Sequence, residues 1–445
     1  MATIASTLPR DRALGFWMCT ALVVGNMIAS AIFLLPTSLA PYGWNASIAW
    51  VITIAGALCM AHVFASLARA FPTACGPYVY AREAFGPLVA YMVAWSYWVS
   101  LWIGNGSIAA AAISYLSSLV PALGSNPIFA AGSTLAIIWG LTLLNCLSTR
   151  ATGGFQLVTT VVKMIPLLAV VVLGAYVLGR DGTADVRPFV PHDIHLGGIT
   201  AAMTLTLWGL LGLESATVPG GKVRDPERTI PRATLAGTAF AGLAYLLICS
   251  ATVLMQPEAQ VSVSPAPLAD FVARYAGGPA GIVIALTAAL SSIGALAGWI
   301  LLQGEMPRAM AEDGVFPKFL AVQSANGTPV RAHIVASVLL TITVLITYSG
   351  SLTTLYRILV LLSTSASLVM YLICALAAIR LRLAGRLPMV GRALMPVAAL
   401  GSIYSVWTIW GAGSQALEWG LGLFLAGLPI YVWVKRAEIL ERIAR

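Results

Sequence analysis

Charge is scarce in this sequence. Asp, Glu, Lys and Arg together make up 9% of its 445 residues, while 59% are hydrophobic. So few charges cannot clothe the surface of a water-soluble globule of this length, and the expected solvent is a bilayer. Histidine is also scarce: the four, His62, His192, His195 and His333, have no Cys, Asp or Glu partners at ligand spacing. A metal centre and a membrane-embedded enzyme or channel are therefore disfavoured, and no cofactor is expected. His192 and His195 fall in an external loop, where solvation is a simpler fate than catalysis. Six cysteines, Cys19, Cys59, Cys75, Cys146, Cys249 and Cys374, are scattered without any C-x-x-C and read as small packing residues.

Long polar connections are missing too, which leaves no room for a soluble domain. What is present is a series of apolar runs, each near the roughly 20 residues a spanning helix needs. Twelve occur, at about 13–40, 44–68, 86–121, 128–147, 154–179, 198–219, 232–256, 277–303, 333–350, 353–379, 388–411 and 415–434. The net charge of +9 is distributed by topology and not as a nucleic-acid patch. Of the 25 basic residues, 20 fall on one side of these runs and only Arg180, Arg187 and Arg274 on the other; Lys163 and Arg357 lie within or at the edge of spans. That bias predicts twelve crossings with both termini cytoplasmic. Met1 to Arg12 lack the apolar core and cleavage site of a secretory signal, so the first run is expected to stay as an anchor.

In hydrocarbon an interrupted helix is tolerated only where it is buried or lines a wet cavity, so interruptions point to a site. The first run (Val24 to Pro36) and the sixth (Leu207 to Pro219) each join small residues to a polar side chain and then reach a proline. Gly and Pro are common in membrane helices, so coincidence is the competing account. First and sixth are five spans apart, the spacing that two five-span repeats of opposite orientation would give. The expected organisation is a cytoplasmic segment 1–12, a first repeat 13–179, a second repeat 198–379, two appended spans in 388–434 and a cytoplasmic tail 435–445. The stretch 303–317, charged and carrying Pro307 and Pro317, is expected to form a separate short helix at the cytoplasmic surface.

Ionisable groups deep in a membrane are costly and read as functional by default. Glu214, in the interrupted sixth run, can exchange a proton, pair with a cationic substrate, or only hydrogen-bond within the broken helix. Lys163 lies nine residues into its run, about 13 Å deep at 1.5 Å per residue, where snorkelling is difficult. Its ammonium, set against carbonyls freed by a broken helix, would do what a coupling sodium ion does elsewhere; holding two helices together is the alternative. Asn26, Ser30, Asn105 and Ser363 sit at similar depth, where interhelical hydrogen bonding is the competing account. Trp98, Trp102 and Tyr97 suit an interfacial belt, but Trp208 and Trp299 are mid-span, where an indole can cover a ligand or bind a cation over its face. N–H groups around Ile28 to Ala31 can hold a carboxylate, and carbonyls ending the first half of the sixth span can hold an ammonium. Those two ends describe an amino acid.

These residues resemble the amino acid, polyamine and organocation transporter superfamily, and within it the bacterial basic amino acid and polyamine exchangers of the arginine/agmatine type. The likeness covers nearly the whole chain. It is carried by Gly25 to Ala31 with Phe33 to Pro36, Gly76 to Arg82, Trp102 to Asn105, Leu207–Trp208 with Gly212 to Ala216, Gly298–Trp299, and Ala311 to Pro317. The resemblance implies an all-α, LeuT-like fold of two inverted five-helix repeats plus two helices. It places the substrate carboxylate near Ser30, its ammonium near Trp208 and Leu211, and its side chain toward Ser100, Leu101, Asn105 and Ser363. Asn26, Met27 and Ile28 count with them as binding candidates. By the same likeness Trp208 and Trp299 stack and gate, Tyr97 and Tyr371 are outer and inner gates, Glu214 is tied to conformational exchange, and Tyr78 is the pH-sensing tyrosine.

Two departures bear on function. The family's Gly-Ser-Gly turn reads Ala29-Ser30-Ala31 here, and a Cβ restricts the backbone and narrows the carboxylate cradle. Lys163 is absent from the arginine/agmatine type but similar to a lysine of proton-coupled members. Two expectations follow: exchange of a cationic amino acid for its decarboxylated amine across the bacterial inner membrane, or proton-coupled permeation of a neutral amino acid. The expected partners are a small amino acid or amine, the lipid bilayer and, for the second reading, protons; nucleic acid is not among them, and a homodimer is left open.

Overall fold

The computed structural model describes residues 15–29, 31–71, 76–147, 155, 158–159, 161–216, 223–348, 351–387 and 391–443. In chain order the helices are α1 (Phe16–Met27), α2 (Ala31–Leu39), α3 (Trp44–Ala70), α4 (Gly76–Phe85), α5 (Pro87–Ser117), α6 (Pro127–Leu147), α7 (Met164–Asp181) and α8 (Leu196–Leu210). They continue as α9 (Pro226–Leu254), α10 (Pro267–Ala276), α11 (Gly278–Glu312), α12 (Val330–Thr347), α13 (Leu352–Leu383), α14 (Leu394–Gly411), α15 (Ser414–Leu425) and α16 (Gly427–Ile443). The protein is an all-α polytopic membrane protein. Among the described residues ten helical segments are long and apolar enough to cross a bilayer, the last being Ser414–Arg436 from α15 into α16, and the bent pair α1 and α2 makes an eleventh crossing. The remaining expected run, 198–219, is helical only over the 15 residues of α8 before the chain breaks.

Burial ranks the helices. α5 is enclosed almost completely, packed against α4, α11 and α13, and its small residues from Gly104 to Ala112 let those neighbours come close. α15 and α16 lie at the edge, with Leu421, Leu425 and Trp433 exposed as lipid-facing side chains should be.

The two halves share a device. After the second crossing comes a ten-residue helix, α4, then Gly86 at φ 89°, then the 31-residue α5. After α9 comes another ten-residue helix, α10, then Gly277 at φ 93°, then the 35-residue α11. A Cβ at either glycine would meet nothing within 4 Å, so backbone conformation alone selects glycine; with ψ near 180° this region is essentially closed to other residues.

The expected separate helix over 303–317 does not form. α11 runs unbroken through Pro307 to Glu312 and is followed by a 3-10 turn at Lys318–Ala321. Pro307 has no N–H for the carbonyl of Gln303, and the indole of Trp98 supplies the missing donor, with Nε1 2.9 Å from that oxygen. Pro231 in α9 is accommodated in the same way: Arg69 Nε donates to the Glu227 carbonyl at 3.0 Å. A proline interrupts a helix chiefly by orphaning the carbonyl four residues back, and here a neighbouring side chain replaces the lost bond.

Loop contacts sort into two ends. Arg386 pairs with Glu83 at 2.6 Å, and Arg69 reaches the start of α9. At the opposite end Arg187 pairs with Glu258 at 2.9 Å while its carbonyl accepts from Trp44 Nε1 at 2.9 Å. These groups divide as the basic-residue bias divides them.

Candidate functional site

The break between α1 and α2 leaves carbonyls without intrahelical partners. Ala29 N–H turns back to Met27 O at 2.9 Å and so abandons Gly25 O, its partner in a continuous helix. Lys163, 4% exposed, fills the gap: Nζ donates to Gly25 O at 3.0 Å and to Ile28 O at 2.9 Å. Tyr245 OH donates to Met27 O at 3.0 Å. A cation at the negative end of a helix is favourable, and no ion pair among the described residues involves Lys163. Ser30, the expected carboxylate ligand, lies outside the described residues.

The second break follows α8. Leu211 is extended and Gly212 has φ 103°, a conformation that favours glycine. The chain then re-forms as a 3-10 turn, Leu213–Ala216, packed against α1. This turn carries Glu214, 1% exposed. Tyr371 OH donates to Glu214 Oε2 at 2.8 Å, and Tyr97 bonds the same carboxyl group.

Both breaks open onto one cavity. Its walls include Asn26, Met27, Ala29 and Ala31 from the first break and Trp208, Leu211 and Glu214 from the second. Tyr97, Ser100, Leu101, Gly104, Asn105 and Ile108 come from α5, Trp299 from α11, and Ser363 and Ser367 from α13. The free space is about 30 Å3, enough for one or two waters. At Gly104 a Cβ would stand 2.7 Å from the Trp208 ring, so the missing side chain is what lets that indole lie against α5.

Three polar side chains on the α5 and α13 walls have a donor committed to the protein. Ser100 Oγ donates to Tyr97 O at 2.7 Å, Ser363 Oγ donates to Ser100 O at 2.7 Å, and Asn105 Nδ2 donates to Gln303 Oε1 at 2.7 Å. Each hydroxyl has a single proton, so both serines offer the cavity only lone pairs. Asn105 Oδ1 has no protein partner. With Glu214 nearby, this wall is rich in hydrogen-bond acceptors.

Of the candidate residues read from the sequence, Asn26, Met27, Ser100, Leu101, Asn105, Trp208, Leu211, Trp299, Ser363, Tyr97 and Glu214 meet around this cavity. Ile28 contributes its carbonyl to Lys163 instead of a wall. Lys163 and Tyr371 stand behind the lining, each holding one break, and Tyr78 on α4 does not line it. The sequence reading missed Gly104, Ile108 and Ser367, though a helical step from Leu101, Asn105 and Ser363 reaches each of them. It also missed Tyr245 and Gln303, which only tertiary packing brings to the site.

A family model described as amino acid permease matches residues 14–425. A protein of Bacillus subtilis (strain 168), provisionally named as an arginine/ornithine antiporter, is 31% identical, over 94% of this chain and 96% of its own. A cadaverine/lysine antiporter of Escherichia coli (strain K12) is 33% identical over 76% of each chain. A putrescine transporter of Haemophilus influenzae (strain ATCC 51907 / DSM 11121 / KW20 / Rd) is 30% identical over 96% of this chain and 98% of its own.

Proposed function

The chain belongs to the amino acid permease family and moves amino acids or amines across a membrane, and on that premise we propose that it exchanges a cationic amino acid for its decarboxylated amine across the bacterial plasma membrane. The observation that carries this reading is the acceptor-rich wall. Ser100 and Ser363 have spent their only donors on protein oxygens, and Asn105 turns its NH2 to Gln303 with its oxygen left unpartnered, so a guanidinium or ammonium finds acceptors there. The indoles of Trp208 and Trp299 add faces for a cation. Names of the relatives, with arginine, ornithine, lysine, cadaverine and putrescine among their substrates, point the same way.

The two breaks, five crossings apart, and the paired α4 and α10 support a mechanism in which repeats 13–179 and 198–379 rock about the cavity. Opening is needed on each cycle, because a cavity of about 30 Å3 cannot hold a lysine or arginine without moving its walls. Glu214, held by Tyr371, is suited to link substrate charge to that movement.

A second reading has its own observation. Lys163 bridges the α1 break as a sodium ion would, so its protonation and release would couple proton flow to the break. Counterflow in proteoliposomes separates the two. Vesicles loaded with arginine, agmatine, lysine or leucine receive labelled substrate, with and without a pH gradient. Uptake that requires a cationic internal substrate and ignores the gradient supports exchange; uptake into empty vesicles driven by the gradient replaces it with proton coupling.

A further inference from the structure

Asn105 lines the cavity with its side-chain oxygen unpartnered, for a reason that lies three helices deep. An amide can face either way, and its orientation follows from the network it joins. Thr142 Oγ1 on α6 donates to Ile138 O at 2.7 Å. Its 2.8 Å contact with Ser337 Oγ on α12 therefore uses the Ser337 proton. Ser337, its one proton spent, accepts from Gln303 Nε2 at 3.1 Å. Gln303 must then turn Oε1 toward Asn105, take Nδ2 as donor at 2.7 Å, and leave Asn105 Oδ1 to the cavity. Gln303 cannot drift away from this role, because its own carbonyl is fixed by Trp98 at 2.9 Å. Asn105, Gln303, Ser337 and Thr142 are all fully buried, so no bulk water competes for the relay.

We propose that Gln303 and Ser337 are specificity-determining positioning residues: a one-way hydrogen-bond relay from Thr142 locks Asn105 as an acceptor, so that the site selects substrates whose side chain ends in a donor. This rests on the amino acid or amine reading above. Neither Gln303 nor Ser337 lines the cavity, so their effect on selectivity passes through the orientation of Asn105. Without the Ser337 hydroxyl, either orientation of the Gln303 amide keeps one hydrogen bond to Asn105. The preference is then lost while the helices remain packed.

The test is calorimetric binding of lysine, which ends in a donor, and methionine sulfoxide, which ends in an acceptor, to purified full-length protein. Wild type is expected to prefer lysine. In Ser337→Ala the lysine-to-methionine-sulfoxide affinity ratio should fall by about tenfold, the scale of one hydrogen bond to a charged group, with methionine sulfoxide gaining. Ser337→Thr, which keeps the hydroxyl, should hold the ratio within about twofold, since the same bond is retained. Gln303→Leu gives an independent release of Asn105 and should lower the ratio likewise. A ratio unchanged in both Ser337→Ala and Gln303→Leu, or equal weakening of the two ligands, overturns the relay while leaving transport intact. Wild-type protein that binds neither ligand overturns the cationic-substrate reading and the relay with it.

Discussion

Lys163 concentrates the chemistry of the first break in one side chain. Replacing it by alanine leaves Gly25 O and Ile28 O without their donor, and a buried unsatisfied group costs about 1–3 kcal/mol. Lys163→Ala is therefore expected to lose heat stability in detergent, read as a lower temperature of half-inactivation. If the lysine couples protons, the same variant also loses pH-driven accumulation while counterflow persists; accumulation that survives unchanged removes coupling through Lys163. This residue was legible in the sequence because an ammonium in an apolar run has few places to go. Asn26, Trp208 and Glu214 were legible because they sit at interruptions, and Leu211 through the family resemblance. Gln303 and Tyr245 were not. Each is one polar group on an unbroken helix, and what it touches depends on which helix packs against it, which no local pattern encodes.

Elements explain why the second half of α11 escaped the sequence reading. Pro307 and the charges around it look like a stop signal because the usual cost of a proline is an orphaned carbonyl. The donor that cancels this cost, Trp98, is more than 200 residues away in the chain. A double-mutant cycle measures that compensation. Trp98→Phe should destabilise the protein by about 1–2 kcal/mol, since Gln303 O loses its partner. Pro307→Ala, by restoring an N–H at 307, should recover most of that loss in the Trp98→Phe background. Equal, additive effects in the cycle would mean that the indole is held by packing alone. By contrast the breaks after Met27 and Leu210 were readable, because there the backbone itself leaves the helix; carbonyls freed at the first are used by Lys163 and Tyr245.

At the scale of the whole molecule the repeated unit of ten-residue helix, positive-φ glycine and long buried helix occurs once in each half. With the broken run 198–219 counted as a crossing, an odd number separates the two copies, so inverted repeats require α4 and α10 to face opposite sides of the membrane. The basic-residue bias adds a direction, with Arg82 on α4 cytoplasmic and Arg274 on α10 outside. Both side chains are exposed, which makes them usable reporters, and the five described cysteines are buried or half-buried. A cysteine at Arg274 should react with an impermeant maleimide on intact cells, whereas one at Arg82 should react only after permeabilisation. Labelling of both from the same side would remove the inverted repeat. The reverse pattern would keep the repeat but turn the protein over, moving both termini outside and leaving the charge bias without its cause. The expected pattern would join the two readings: the sequence's asymmetry of charge would fix the orientation, and alternating exposure of one acceptor-lined cavity to the two sides would follow from the repeat's symmetry.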